Sequence, residues 1–290
     1  MEQPRRPPVL LGMAKRADIR IGVSGWTYAP WRGAFYPEGL PQKRELAFLA
    51  GQFNAIEING SFYGMQVPRS FATWHDAVPP DTLFAVKGPR YLTHMLKLKG
   101  PEAPLANFFA SGVLALGEKL EVFLKLLPQT GKDASRLDRH HDHRLRSAPY
   151  LDPGGIGDIR HCMEIRHESF RSPDFIALLR KYGVALVCAD TVDWPLLMDV
   201  TADFIYCRLH GSVELYNSGY SDAELDRWAA RIAAWSEGRT MRDGSFVTAP
   251  AADRKKRDVF LFLDNTDKLQ APGNARSLMR RLGVERKTDG

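Results

Sequence analysis

Little in this chain fixes a chemistry through one motif. Only three cysteines occur in 290 residues, an odd number at wide spacing. That excludes a disulfide scaffold and points to a reducing compartment, here the cytoplasm. Cys162, Cys188 and Cys207 lie inside apolar runs and read as small core residues. No apolar stretch approaches the roughly 20 residues that a membrane helix needs, so no membrane partner is expected. There is no Walker loop, no GxGxxG after a strand, no GxSxG elbow and no CxxC. Nucleotide-dependent redox chemistry and serine hydrolysis are therefore disfavoured, and no nucleotide cofactor is implied. GVSG at 22–25 is too short to argue a phosphate cradle. No repeat of fixed period is visible. Residues 1–18 carry charge but no apolar core, and they read as a disordered tail rather than a secretory signal; a start at Met13 would remove most of it.

The bulk composition is ordinary, with 44% hydrophobic and 26% charged residues, so a globular domain is expected. The net charge of +6 weakly favours anionic partners. Much of the excess sits in Arg5, Arg6, Lys15 and Arg16 and in the run Arg254, Lys255, Lys256, Arg257. That run is either a solvated face or a nucleic-acid patch.

What the chain does have is seven short apolar runs whose ends carry charged or amide residues: 19–24, 55–58, 83–86, 162–165, 184–189, 204–209 and 259–263. Helical patterns separate them. Residues 41–51 and about 104–119 read as helices. A third opens at Ser172-Pro173 and closes at Gly183. A fourth starts with the capping box Ser221/Glu224, and a last one spans about 272–282. Strands alternating with helices, polar at one end only, predict an α/β fold, a TIM-type (β/α) barrel over residues 19–284 with its site at the C-terminal rim. Residues 285–290 are left as a tail. The fourth strand is the weak point. Leu120–Leu127 (LEVFLKLL) could supply it, but Leu120, Phe123, Leu124 and Leu127 also match helical spacing, which tips the reading toward a helix. The barrel is then expected to have an atypical or missing fourth strand. Residues 129–158 are polar and turn-rich. Within them, His140 and His143 have a ligand-like spacing, but the flanking arginines favour a solvated helix face.

Six stretches together are similar to one family: IRIGVSGWTYAPWRGAFYP (19–37), FNAIEINGSFYG (53–64), LFAVKGPRYLTH (83–94), MEIRHESF (163–170), YCRLHG (206–211) with Tyr216 and Tyr220, and FLDNTDKLQAPGNA (262–275). On these the chain resembles the domain of unknown function 72, or YecE-like, family. The resemblance implies a TIM-type barrel and no activity. That family usually has a strand like GPILFQLPP after the third helix, whereas here LGEKL (116–120) passes straight into EVFLKLLPQT. The difference implies a loss of about 20–25 residues, including the fourth strand, and with it a degenerate, inactive copy as one outcome.

Side chains two apart on a strand share a face. The strand tips therefore gather Glu57, Asn59, Lys87, Glu164, Arg166, Asp190, Arg208, His210 and Asp264 at the barrel mouth. Such a set is either an ion-pair network or a cup for a ligand, and polar rims of this fold favour the cup. His210 with Glu57 or Glu164 are the natural proton carriers. Asp264 joins them as a candidate catalytic group. Arg208, Arg166 and Lys87 suit a phosphate or carboxylate. Asn59 and Asn265 could orient a hydroxyl or carbonyl, and His94 and His167 could close over the cup. The rim aromatics Trp26, Tyr28, Trp31, Phe35, Tyr36, Phe62, Tyr63, Tyr216 and Tyr220 either plug the loops or stack on a sugar or base. Glu57, Glu164, His210 and Asp264 could hold a divalent metal, with the nearby cations opposing it. The leading expectation is an enzyme, a hydrolase, lyase or isomerase rather than an oxidoreductase. It would act by acid/base chemistry on a small anionic or phosphorylated, sugar- or nucleotide-like substrate. The alternative is a non-enzymatic module binding nucleic acid or protein. Oligomeric state is not legible.

Overall fold

The computed structural model describes residues 17–126, 159–211, 213, 218–239, 241–250, 252, 254–264 and 269–286. Eight strands form a closed, all-parallel barrel in chain order. They are β1 (Ile19–Ser24), β2 (Ala55–Ile58), β3 (Leu83–Lys87), β4 (Leu120–Leu126), β5 (Arg160–Glu164), β6 (Ala185–Asp190), β7 (Phe204–Leu209) and β8 (Asp258–Leu263). β8 pairs with β1 to close the ring. Among the described residues the α-helices outside the ring are α1 (Glu45–Ala50), α2 (Gly60–Tyr63), α3 (Pro68–Asp76), α4 (Glu102–Ala110), α5 (Pro173–Tyr182), α6 (Asp222–Ser236) and α7 (Gln270–Leu282).

The fourth strand is present, which overturns both the helical reading of 120–127 and the degenerate copy lacking a strand. Val86 pairs with Phe123 and Lys87 with Leu124, after a register shift between Phe84 and Ala85. On the other side Leu124 pairs with Cys162. Val122 and Leu124 join the interior cluster, while Phe123 faces out and stacks on Phe108 with centroids 5.0 Å apart. The two-residue period wins because a helix here would leave β3 and β5 with unpaired backbone edges. Leu127, residues 1–16 and 287–290 of the tails, and His140 and His143 lie outside the described residues.

The interior is lopsided. β7 and β8 contribute the rings Phe204, Tyr206, Phe260 and Phe262, and β2, β3 and β6 contribute Ala55, Ala85, Ala185 and Ala189 to receive them. β1 contributes Gly22, where an added Cβ would stand 1.9 Å from the Ala55 carbonyl oxygen. The outer residues of the same strands, such as Ile21, Ile56, Val86 and Leu209, pack against the helices. Those helices are delimited by local chemistry. Ser172 Oγ accepts from Phe175 N to start α5, and the Ser221/Glu224 capping box starts α6. All three cysteines are buried and none forms a disulfide. Among the described residues no helix is long and apolar enough to cross a membrane.

Candidate active site at the barrel mouth

At the C-terminal end of the strands, Arg208 is the hub. It is fully buried, on the inward face of β7 next to Tyr206 in alternation. Its Nε and Nη2 donate to the two oxygens of Glu57, at 3.0 and 2.8 Å. Nη1 donates to Glu164 Oε2 at 2.7 Å, and Nη2 also donates to Asp264 Oδ2. Burial opposes the charge on Arg208, but Glu164, Glu57 and Asp264 outweigh it and keep the guanidinium protonated. Arg208 is therefore spent on the protein's own carboxylates and is not available to bind a substrate anion.

Glu57 is equally committed. Ser24 Oγ donates to one of its oxygens at 2.7 Å and the Tyr206 hydroxyl to the other at 2.7 Å. With Arg208 these make four donors, so the carboxylate is saturated. The Tyr206 phenol is held well above its ordinary range by burial and then by Glu57, so it stays a neutral donor. Glu164 takes Arg166 Nε at 2.8 Å and Nη2 at 2.7 Å on its other oxygen. Burial pushes the Glu164 carboxyl up, but Arg208 and then Arg166 outweigh this and hold it well below the usual carboxylate range. His210 is fully buried between two acids, with Nε2 3.6 Å from Glu164 and Nδ1 3.5 Å from Asp264. Its backbone N–H donates to the Asp190 carbonyl.

Lys87 differs from the other cations. It is 6% exposed at the tip of β3. Its Nζ stands 4.6 Å from the centre of the Phe62 ring, and no ion pair or hydrogen bond reaches it among the described residues. Burial lowers its pKa, Arg208 adds repulsion, and Asp264, Glu57 and Glu164 only partly oppose them, leaving it at about 8. His94 lies edge-on to the same Phe62 ring, centroids 5.2 Å apart, and its Nδ1 is 2.9 Å from Thr93 Oγ1. Burial, then Arg166, Lys87 and Arg90, lower it to about 4, so it is a neutral imidazole at pH 7. Arg166 lies 4.4 Å over the Trp194 ring, which is edge-on to His210 at 5.5 Å. Asn59 Oδ1 is shielded from solvent and accepts no hydrogen bond among the described residues. Beside Phe62 opens a hollow of about 660 Å³ lined in part by Ser61, Tyr63, Arg90 and Tyr91, and Tyr63 is 72% exposed on its edge.

The mouth thus brings together Glu57, Glu164, Arg166, Arg208, His210, Asp264, Lys87 and His94, with Asn59 and Tyr63 on adjoining segments. Other expected residues stand elsewhere. Asp190 pairs with the outward Leu209, and its carboxylate accepts from Trp228 Nε1 at 2.9 Å; it ties β6 to α6. Tyr220 accepts from the Gly211 N–H at 3.0 Å and pins the loop after β7. His167 caps its own turn through Ser169 N. Trp26 packs on Trp74, and its carbonyl accepts from the Tyr36 hydroxyl, so the first-loop rings are packing. Tyr216 and Asn265 lie outside the described residues. Sequence reasoning missed Tyr206, which is two residues before Arg208 and so on its face, and Ser24, the last residue of β1. It also missed Trp194, a lone ring in a rim loop. Metal ligation is not favoured. The three carboxylates converge on the Arg208 guanidinium, and no group of three or more ligand-type side chains is arranged to hold an ion among the described residues.

Comparison with known proteins matches the family described as "Protein of unknown function DUF72" over residues 20–289. The fold is similar to a crystal structure of a DUF72 family protein from Thermotoga maritima, with a TM-score of 0.73 and 24% identity, covering 92% of this chain and 99% of that one. It is also similar to one from Enterococcus faecalis, with a TM-score of 0.70 and 16% identity, covering 94% and 99%. Comparison with curated proteins finds no match. Matched by the family model over residues 20–289, the chain belongs to the DUF72 family of proteins of unknown function.

Proposed function

We propose that the protein is an enzyme that performs acid/base chemistry on a small anionic substrate at the C-terminal barrel mouth. The observation that carries this is Lys87, a buried amine at a strand tip that forms no ion pair among the described residues, set beside a neutral histidine. Burying an ammonium without hydrogen bonds is unfavourable, and such groups concentrate at functional sites. Lys87, Arg166 and the exposed Arg90 form the positive edge that attracts a carboxylate or phosphate. His94 and His210 are the proton carriers, with Asp264 beside His210. Glu57 and Arg208 hold the floor through their mutual hydrogen bonds. This assigns Glu57 and Arg208 a different role from the one their positions in sequence suggest.

The test is ligand-induced stabilisation. Inorganic phosphate and small phosphorylated sugars should raise the melting temperature of the wild type in proportion to ln(1 + [L]/Kd), and Lys87→Met should abolish the rise. No stabilisation by any small anion would remove the reading. The nucleic-acid alternative is weakened by position. Arg254, Lys255 and Lys256 immediately precede β8, at the pole of the barrel opposite the aromatic rim, so the two features that reading joins do not form one surface.

A further inference from the structure

Lys87 has the setting of a nucleophile as well as of an anchor. Arg208 and Arg166 already balance two of the three carboxylates Glu57, Glu164 and Asp264, and a cation at position 87 stands against the third. That cation can be an ammonium or an iminium. Among the described residues the nitrogen has no hydrogen bonds to break, its stem is held in the wall by burial, and Phe62 covers one side of it. The neutral His94 ring flanks the same Phe62. Phe62 and the exposed Arg90 also line a hollow of about 660 Å³, which Lys87 and His94 themselves do not line.

We propose that the Lys87 amine forms a Schiff base with the carbonyl carbon of a small aldehyde or ketone that also carries a carboxylate or phosphate. The inference rests on the anionic-substrate reading and names the reactive group of that substrate. The Lys87 ammonium passes one proton to His94; the freed nitrogen lone pair attacks the carbonyl carbon, and the C=O pair moves to oxygen, which takes that proton from His94. Nitrogen loses a proton to His94. The hydroxyl of the carbinolamine takes that proton and departs as water, leaving a C=N⁺ bond. No oxidant or reductant is needed. The iminium occupies the place of the ammonium among Glu57, Glu164 and Asp264, so the floor keeps its charge. It then withdraws electrons from a neighbouring C–H or C–C bond, which places the reaction among lyases, aldol-type reactions or isomerisations.

The experiment is borohydride trapping of the full-length protein with pyruvate and, separately, with dihydroxyacetone phosphate, followed by peptide mapping. The expected result is a reduced adduct on Lys87 at probe levels that leave the exposed Lys43 and Lys99 unlabelled. Labelling should rise with pH through about 8, whereas ordinary lysines stay protonated up to about 10.4. Lys87→Arg, which keeps the charge, should give no adduct. The proposal is overturned if either probe raises the melting temperature yet Lys87 stays unmodified, an outcome that leaves the anion site standing. Labelling spread evenly over surface lysines overturns it as well. If neither probe nor inorganic phosphate stabilises the wild type or Lys87→Arg, the anionic-substrate reading falls and this inference goes with it.

Discussion

Replacing Arg208 by Met should be among the most destabilising single changes in the barrel. The side chain is of similar length and apolar, so little volume is lost. What changes is that Glu57, Glu164 and Asp264 lose a shared donor, and Glu57 and Glu164 are fully buried. Removing one member of a buried ion pair typically destabilises by 3–5 kcal/mol, because the remaining charge is left uncompensated. Three acids depend on this one guanidinium, although Glu57 keeps Ser24 and Tyr206, and Glu164 keeps Arg166. A loss of about 4 kcal/mol is therefore expected at pH 7, a shift of the urea midpoint by roughly 1–2 M. The loss should depend on pH in a defined direction. In the wild type the Glu164 carboxyl is held below its ordinary value. Its contribution is thus present above the unfolded pKa of about 4.3 and is lost as pH falls through the lower folded value. In the variant the acids are buried without their partner and protonate more readily, so the gap between variant and wild type should narrow toward pH 4. Urea titrations of both proteins at pH 7, 5.5 and 4 measure this. A loss under about 1 kcal/mol at pH 7, or a gap that widens on acidification, would refute the hub.

Other outcomes follow from the same contacts. Lys87→Met should stabilise the protein at pH 7. With a pKa of about 8 against the ordinary lysine value of 10.5, the native state binds fewer protons than the unfolded one between those values. Wild-type stability then rises with pH across that window, and the advantage of the variant, on the order of 3 kcal/mol, should be full below pH 8 and gone near pH 10.5 in denaturant titrations. Leu124→Ala opens the barrel interior and should lose about 2–5 kcal/mol; a change below 0.5 kcal/mol would mean that β4 does not face inward. Gly22→Ala drives a Cβ into the Ala55 carbonyl and should lower the melting temperature strongly, the β1–β2 pair being unable to separate without breaking its ladder. Ser221→Ala removes the capping box of α6 and should destabilise by about 1 kcal/mol, with no effect on anion binding.

The fold was largely legible because inward and outward residues alternate and helices announce their ends. Ile19–Ser24, Ala55–Ile58 and Phe204–Leu209 can be read to the residue, and Ser172, Gly183 and the Ser221/Glu224 pair mark helix boundaries by chemistry that acts locally. β4 was not legible, because Leu120, Phe123 and Leu124 satisfy two periods at once. The decision belongs to its neighbours, the open edges of β3 and β5, which no window of sequence contains. The site divides along the same line. Alternation alone places Glu57, Glu164 and Arg208 at one opening, and it would have added Tyr206. It would also have removed Asp190, since the outward Leu209 stands beside it and the inward Arg208 beside Ala189. What alternation cannot give is how three cations share three acids. Arg208 and Lys87 look equivalent as strand-tip cations, yet the fork of one is filled by Glu57, Glu164 and Asp264 while the amine of the other, among the described residues, meets an aromatic face. That difference arises from distances between β2, β3, β5, β7 and the residue after β8. It separates a residue that holds the mouth together from one that is left able to react, and the trapping experiment on Lys87 and the stability of Arg208→Met probe its two halves independently.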